Sequence, residues 1–117
     1  MNAQNQPGSP AQTTEAEIVT VHSFSVGGAD YEQFVLDLKA RVDGLYDEID
    51  GLRQVAVLRE HGTGKVAVLA EWESRAAQVQ GIAVLYRDEA LGQVTRRSSG
   101  GDSHAYEVVA RHAQTRS

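Results

Sequence analysis

The sequence has 117 residues, a formal net charge of -5 and no cysteine. That length fits one domain, and the missing thiols exclude disulfides, thiolate metal sites and a cysteine nucleophile. The acidic balance argues against nucleic acid or an anionic membrane as the main partner, and no apolar run approaches the roughly 20 residues of a membrane-spanning helix.

Both prolines lie in the polar segment 1–16, which contains no large apolar side chain after Met1. Such a segment cannot bury enough surface to offset the entropy of ordering, so we expect a disordered tail. The segment also lacks the basic and apolar parts of a secretory signal, so we expect a cytoplasmic protein. The folded domain is expected over 17–112, followed by a frayed end at 113–117.

The first predicted strand, 18–26, has alternating β-branched residues and ends at a pair of glycines. Apolar residues at helical spacing follow from Tyr31 over about five turns. Asp30 is placed as the N-cap of this helix, and Gln33 three residues later would complete a capping box. These patterns predict a strand followed by a long helix.

Two alternating segments, 52–60 and 65–73, flank a short turn with two glycines, which predicts a β-hairpin. Ser74 is a good N-cap for a second helix. Gly81 is a candidate interruption of that helix, and helical spacing continues to about Val94.

A polar loop at 96–102 precedes a fourth predicted strand at 103–111. The order β-α-β-β-α-β converts most simply into an α+β, ferredoxin-like antiparallel sheet with helices on one face. Both alternating sets of the hairpin strands are apolar, as Val57 and its neighbour Leu58 illustrate. A strand that is polar on neither face is buried on both. A second copy of the chain is the simplest cover for the outer face, so we expect a homodimer.

The strand IVTVHSFSV, the segment GLRQVAVLRE, and VAVLAEWES after a glycine hairpin form a familiar series. Over 18–111 the chain resembles the antibiotic-biosynthesis monooxygenase (ABM) domain family, most specifically in the run Glu71 to Ser74. The resemblance implies a dimeric α/β barrel with a pocket between sheet and helices in each subunit. Members of the family include cofactor-independent oxygenases of aromatic polyketides, quinol oxygenases and haem-degrading enzymes.

Trp72 matches the tryptophan near the pocket of the anthrone-oxidising members of this family. Those members have Asn four residues before the tryptophan and Tyr six residues after it, where this chain has Val68 and Gln78. The haem-degrading members use an Asn on the first strand and a His on the helix after the tryptophan. Asparagine is absent from 17–112 and histidine from 78–94, so the resemblance disfavours haem degradation.

His22 and Trp72 are the predicted catalytic residues. His22 shares a strand face with Thr20 and Phe24, and an imidazole with a pKa near neutrality suits abstraction of a phenolic or carbon-bound proton. The competing interpretation is a half-buried, hydrogen-bonded histidine. Trp72 would stack on a planar substrate, or else be a tryptophan of the core or the dimer interface.

Tyr86, His104 and Tyr106 are the predicted substrate-binding residues. Tyr86 is expected at the pocket mouth, or else as a helix packing residue. His104 and Tyr106 share one face of the last strand and with His22 would form a polar patch, in which Tyr106 donates to a developing oxyanion. A solvent-exposed face of an edge strand is the competing interpretation. The histidines lack the spacing of metal ligands, and the chain has no nucleotide-binding fingerprint. We therefore expect neither a bound metal nor a cofactor.

The leading hypothesis for function is a cofactor-independent monooxygenase of secondary metabolism. It would oxidise an electron-rich polycyclic phenol or quinol with dioxygen, with His22 as the base and Trp72 as a stacking wall. One alternative is a polyketide cyclase or isomerase that uses the same acid–base groups without oxygen. The other is a non-catalytic ligand-binding dimer, which Val68 and Gln78 favour.

Overall fold

The structure is a computed structural model that describes residues 16–113. The disordered tail is expected at 1–16, and all of it except residue 16 lies outside the described range. Residues 114–117 of the expected frayed end also lie outside it. The elements are β1 (Ile18–Ser25), a short 3-10 turn (Gly28–Asp30), α1 (Tyr31–Tyr46), β2 (Leu52–Arg59), β3 (Lys65–Trp72), α2 (Arg75–Arg87), α3 (Glu89–Thr95) and β4 (Ser99–Glu107).

The four strands form one antiparallel sheet in the order β2-β3-β1-β4. The two strands of the hairpin, β2 and β3, are neighbours. Strand β1 pairs with β4 from Ile18 to Ser25. This order, with the helices on one face, is the predicted α+β ferredoxin-like fold. No helix in the described range has the length and apolar content that crossing a bilayer requires.

Alternate side chains of a strand point to opposite faces of its sheet. One face, called the inner face below, packs against the helices and holds the buried side chains of β1 and β3. The opposite face is called the outer face. The inner-face pairs of β1 and β3 are Ile18 with Trp72, Thr20 with Ala70, His22 with Val68 and Phe24 with Val66.

Helix α1 supplies the other half of the core. Its buried residues Phe34, Leu38, Val42 and Leu45 recur at helical spacing and therefore lie on one side of the helix. Phe34 meets Phe24 of β1 edge to face, with ring centroids 5.9 Å apart. The aromatic contact and the aliphatic stripe fix α1 across the inner face.

Two local features differ from the sequence prediction. The Asp30 side chain makes no capping hydrogen bond, and the Gln33 amide instead donates to the Asp37 carboxylate at 2.8 Å. Gly81 does not interrupt α2, which continues to Arg87. In contrast, the Ser74 cap is confirmed, because its hydroxyl accepts a hydrogen bond from a backbone N–H in the first turn of α2.

Strand β4 begins at Ser99, four residues before its predicted start, and ends at Glu107. Gly101 pairs with Phe24, and Asp102 pairs with Ser23. The edge of β1 thus offers hydrogen-bond partners to a glycine- and serine-rich segment whose own composition predicts a loop.

Gly81 is required by packing rather than by backbone conformation. A Cβ atom at this position would overlap the six-membered ring of Trp72 and would stand 3.0 Å from a methyl carbon of Ile49. The helix can therefore approach the indole only because residue 81 has no side chain.

We expect Gly81→Ala to lower the free energy of unfolding by about 1–3 kcal/mol, because the added methyl overpacks the core. The matched control is Gly44→Ala in α1, where a Cβ would meet only the Arg41 guanidinium at 3.7 Å. That change should raise the free energy of unfolding by about 0.5–1 kcal/mol. Urea unfolding followed by circular dichroism measures both values, and equal effects at the two glycines would contradict the packing role of Gly81.

Candidate functional site

A cavity of about 410 Å³ lies between the inner face of the sheet and the helices. Its sheet side is formed by residues of all four strands, and α1, α2 and α3 cover it with aliphatic side chains such as Leu38, Leu85 and Leu91. Its β4 side is exposed to solvent, because no residue of β4 is buried. A partly open, mostly apolar cavity of this size is typical of sites for small organic molecules.

His22 lines this cavity from the middle of β1. Its imidazole is half-buried and stacks on Phe24, with ring centroids 4.5 Å apart and an interplanar angle of 15°. The Nε2 atom lies beside Gly101, where an added Cβ would approach it to 3.3 Å. Among residues 16–113 no group forms a hydrogen bond with this imidazole, which lines the cavity.

Burial lowers the pKa of His22, and the nearby Asp102 carboxylate opposes this effect in part. Desolvation disfavours the charged form of the ring. Burial thus favours the neutral form of the imidazole, the form that can accept a proton as a general base must.

Trp72 is fully buried at the end of β3 and also lines the cavity. Its indole Nε1–H donates a hydrogen bond of 2.9 Å to the hydroxyl of Thr20. Because this N–H already has a buried partner, Trp72 offers the cavity an aromatic wall and no free proton donor. Thr20 was not among the predicted site residues, although alternation along β1 places it on the face of His22.

Tyr86 lines the cavity near the end of α2, where its side chain is 78% exposed. A tyrosine that touches both the cavity and the solvent lies at the mouth. Its role in substrate binding stays a prediction.

His104 and Tyr106 do not line the cavity. They pair with Val21 and Val19 of β1, whose side chains point to the outer face, whereas Ser103 is the residue that pairs with His22. The predicted polar patch of His104, Tyr106 and His22 therefore does not form within one subunit, because strand alternation places the two sets on opposite faces of the sheet.

Ser103 and Ser98 line the cavity instead and were missed from the sequence. The Ser98 hydroxyl donates to the Thr95 carbonyl at 2.6 Å. Ser103 could have been found only if the sequence showed which alternate residues of β4 point to the inner face. The strand is polar on both faces, so its sequence does not show this.

An ion pair joins α1 to the junction of α2 and α3 above the cavity. The Nε and Nη2 atoms of Arg41 each lie 2.9 Å from one carboxylate oxygen of Asp88. Asp88 also accepts a hydrogen bond of 2.8 Å from the backbone N–H of Leu91 and so caps α3. These two interactions lower the pKa of Asp88, with the hydrogen bond from Leu91 as the larger cause. This residue ends α2, begins α3 and ties both to α1.

The described part of the chain contains no cluster of metal ligands. No group of three or more histidine, aspartate or glutamate side chains between residues 16 and 113 is arranged to hold an ion.

No protein-family model and no curated protein sequence matches the chain. Solved structures match it over nearly their whole length. A dimeric ferredoxin-like protein from an uncultured marine organism has a TM-score of 0.72 at 10% identity, covering 86% of this chain and 95% of that chain. A Deinococcus radiodurans protein proposed to be an antibiotic biosynthesis monooxygenase has a TM-score of 0.69 at 13% identity, with coverages of 84% and 98%.

A variant of SnoaB, a cofactor-independent oxygenase from Streptomyces nogalater, has a TM-score of 0.64 at 19% identity, covering 85% of this chain and 99% of that chain. The chain has an ABM-like fold. The predicted resemblance is thereby confirmed for the architecture.

Within this ABM-like fold, the two positions that depart from the anthrone-oxidising pattern have different surroundings. Val68 lines the cavity directly opposite His22 in the sheet register. Gln78 does not line the cavity, and its Oε1 atom is buried without a hydrogen-bond partner among the described residues. The wall beside His22 is therefore aliphatic at this position.

We expect His22 to titrate below the ordinary histidine pKa of about 6.5 in the folded protein, because burial disfavours its charged form. The folded state then binds this proton less readily than the unfolded state, so the contribution of neutral His22 to stability is lost as the pH falls below about 6.5. NMR titration of the imidazole resonance measures the pKa, and the urea-unfolded chain is the reference. Asp102→Asn should lower the pKa of His22 further, and a value above the unfolded reference would contradict this assignment.

Proposed function

We propose that the protein is a cofactor-independent monooxygenase of secondary metabolism that oxidises an electron-rich aromatic phenol or quinol of the polyketide type with dioxygen. The observation that carries the proposal is a half-buried His22 that has no hydrogen bond within residues 16–113 and faces a mostly apolar cavity of about 410 Å³. SnoaB, a cofactor-independent oxygenase that shares this fold, supports the reaction class. A cytoplasmic location stays an expectation from the sequence.

The proposed reaction begins with proton transfer. A substrate lies flat between the sheet and the helices, and the neutral His22 imidazole accepts the proton of its phenol or of an acidic carbon. The resulting anion is electron-rich and passes an electron to dioxygen. The apolar walls keep bulk water away from the anion and from the oxygen adduct.

The atoms and electrons balance without a further reductant. When the substrate is an anthrone, its methylene carbon loses both hydrogens and forms a carbonyl with one atom of dioxygen. The other oxygen atom leaves as water. The substrate itself supplies the electrons that reduce dioxygen, so His22 needs only to accept a proton and later release it.

We expect the chelator-treated protein to accelerate oxygen uptake by the anthrone dithranol, and His22→Ala to reduce the enzymatic rate by about 100-fold. The matched control is His61→Ala, because His61 lies exposed in the β2–β3 turn and does not line the cavity. An oxygen electrode measures both rates against dithranol in buffer. Unchanged uptake in His22→Ala would remove His22 as the base and keep the oxygenase class.

Product analysis and ligand-binding measurements beside the oxygen-uptake experiment separate the two alternatives. Consumption of a polyketide substrate without oxygen uptake would indicate a cyclase or isomerase that uses His22 as an acid–base group. Binding of aromatic ligands without turnover would indicate a non-catalytic ligand-binding protein. Val68 opposite His22 favours this last outcome, because it supplies no polar group to a developing anion.

We also propose that two chains associate through the outer face of the sheet. This face carries the apolar side chains Val19, Val21, Leu58 and Leu69 from three neighbouring strands. Leu58 is 43% exposed in the single chain. Helices cover only the inner face, so a second copy is the simplest cover for these residues. The dimeric ferredoxin-like protein of similar fold supports the proposal.

We expect light scattering to give a particle of twice the 12.7 kDa chain mass at micromolar concentration. Leu69→Lys should shift the particle to the monomer, because it places a charge at the centre of the outer face. Leu36→Lys is the control, since Leu36 is an exposed leucine on the surface of α1. A thermal unfolding transition verifies that both variants fold, and a wild-type particle of single-chain mass would contradict the dimer.

A further inference from the structure

The cavity is free of formal charge. Within residues 16–113 its lining contains no aspartate, glutamate, lysine or arginine, and burial favours the neutral form of its one titratable group near neutrality, His22. We infer that the site takes uncharged polycyclic aromatic ligands and rejects the same ring system when it carries a carboxylate. The inference rests on the proposed function for the aromatic class of ligand and adds selection by charge.

Most polar side chains of the lining already have partners. Thr20 accepts the hydrogen bond of the Trp72 indole, and the Tyr46 hydroxyl donates to the Arg53 carbonyl. The Thr95 hydroxyl donates to a backbone carbonyl at 3.2 Å. His22 and Ser103 are the groups of the sheet that are left for a ligand, and they pair with each other in register. On the sheet side the polar capacity of the cavity is thus concentrated at one place, and Tyr86 adds a hydroxyl at the mouth.

Two arginines of the surrounding elements are paired with carboxylates. Arg41 of α1 forms its bidentate pair with Asp88. Arg97, between α3 and β4, lies 2.8 Å from Asp37. Arg96 follows α3 and does not line the cavity, although its guanidinium lies beside Gly92, where an added Cβ would approach it to 3.2 Å. A carboxylate inside the cavity would therefore lose its water and find no cation among the described lining residues.

The polar and apolar ends of the cavity are well separated. His22 and the Trp72–Ile18 pair are four residues apart along β1, which corresponds to about 13 Å. A ligand with hydroxyl groups on one ring can therefore place them near His22 and Ser103 while its other rings extend toward the Trp72 wall. A carboxylate on a hydroxyl-bearing ring would lie near the His22 end, where the neighbouring side chains Val68 and Phe24 offer it no partner.

The test compares two probes that share one dihydroxyanthraquinone ring system. Aloe-emodin carries a neutral hydroxymethyl group where rhein carries a carboxylate. The chain has one tryptophan, so the indole N–H resonance of Trp72 reports on the cavity in NMR titrations near pH 7. We expect aloe-emodin to bind and rhein to bind about 100-fold more weakly, because the carboxylate stays unpaired.

Ser103→Lys supplies the missing cation beside His22. In this variant we expect the affinity for rhein to rise at least tenfold relative to that for aloe-emodin. Ala40→Lys on the exposed side of α1 is the matched control and should leave the ratio of affinities unchanged. A ratio that Ser103→Lys does not change would overturn the assignment of the selectivity to this cavity.

Equal binding of the two probes by the wild-type protein, within threefold, would overturn selection by charge. If oxygen uptake with dithranol is observed in that case, the proposed oxygenase stands and only the selectivity fails. Selective binding of aloe-emodin without oxygen uptake has the opposite meaning: the charge selection stands and the oxygenase fails. Absence of any shift at the Trp72 indole with both probes would overturn both proposals.

Discussion

The alternation of side chains along β1 is the constraint on which the core and the cavity both depend. The strand forms hydrogen-bonded ladders with β3 on one side and β4 on the other. A shift by one residue would move Thr20, His22 and Phe24 together to the outer face and expose the core residues. Because both ladders would have to break for such a shift, the sheet holds His22 in place although no group between residues 16 and 113 forms a hydrogen bond with its ring.

The strands could be predicted from the sequence, whereas the face of each strand that lines the cavity could not. In β1 and β3 both alternating sets contain apolar residues, such as Val21 beside Phe24 and Leu69 beside Trp72. In β4 the residues of both parities are polar or small, and every one of them is exposed. No hydrophobic pattern distinguishes Ser103 from His104, so only the pairing with β1 decides which of them meets the cavity.

In the helices that cover the cavity, the break expected from the composition is not the break that the contacts produce. Gly81 marks a break in the sequence pattern, yet α2 continues through it because the glycine accommodates the ring of Trp72. The actual break is at Asp88, where the carboxylate caps α3 and binds Arg41 of α1. That ion pair spans 47 positions of the chain, and local sequence spacing gives no sign of it.

The pairing of β1 with β4 also determines when the site comes into existence during folding. The β2–β3 hairpin closes over a short turn, whereas Ser99 of β4 meets Ser25 of β1 across 74 positions of the chain. Closing so long a loop costs more entropy than closing a hairpin, so contacts of this kind form slowly. His22 acquires its partly desolvated surroundings only when β4 docks beside it. The cavity is therefore absent from the partly folded chain, and ligand affinity is a property of the completed sheet.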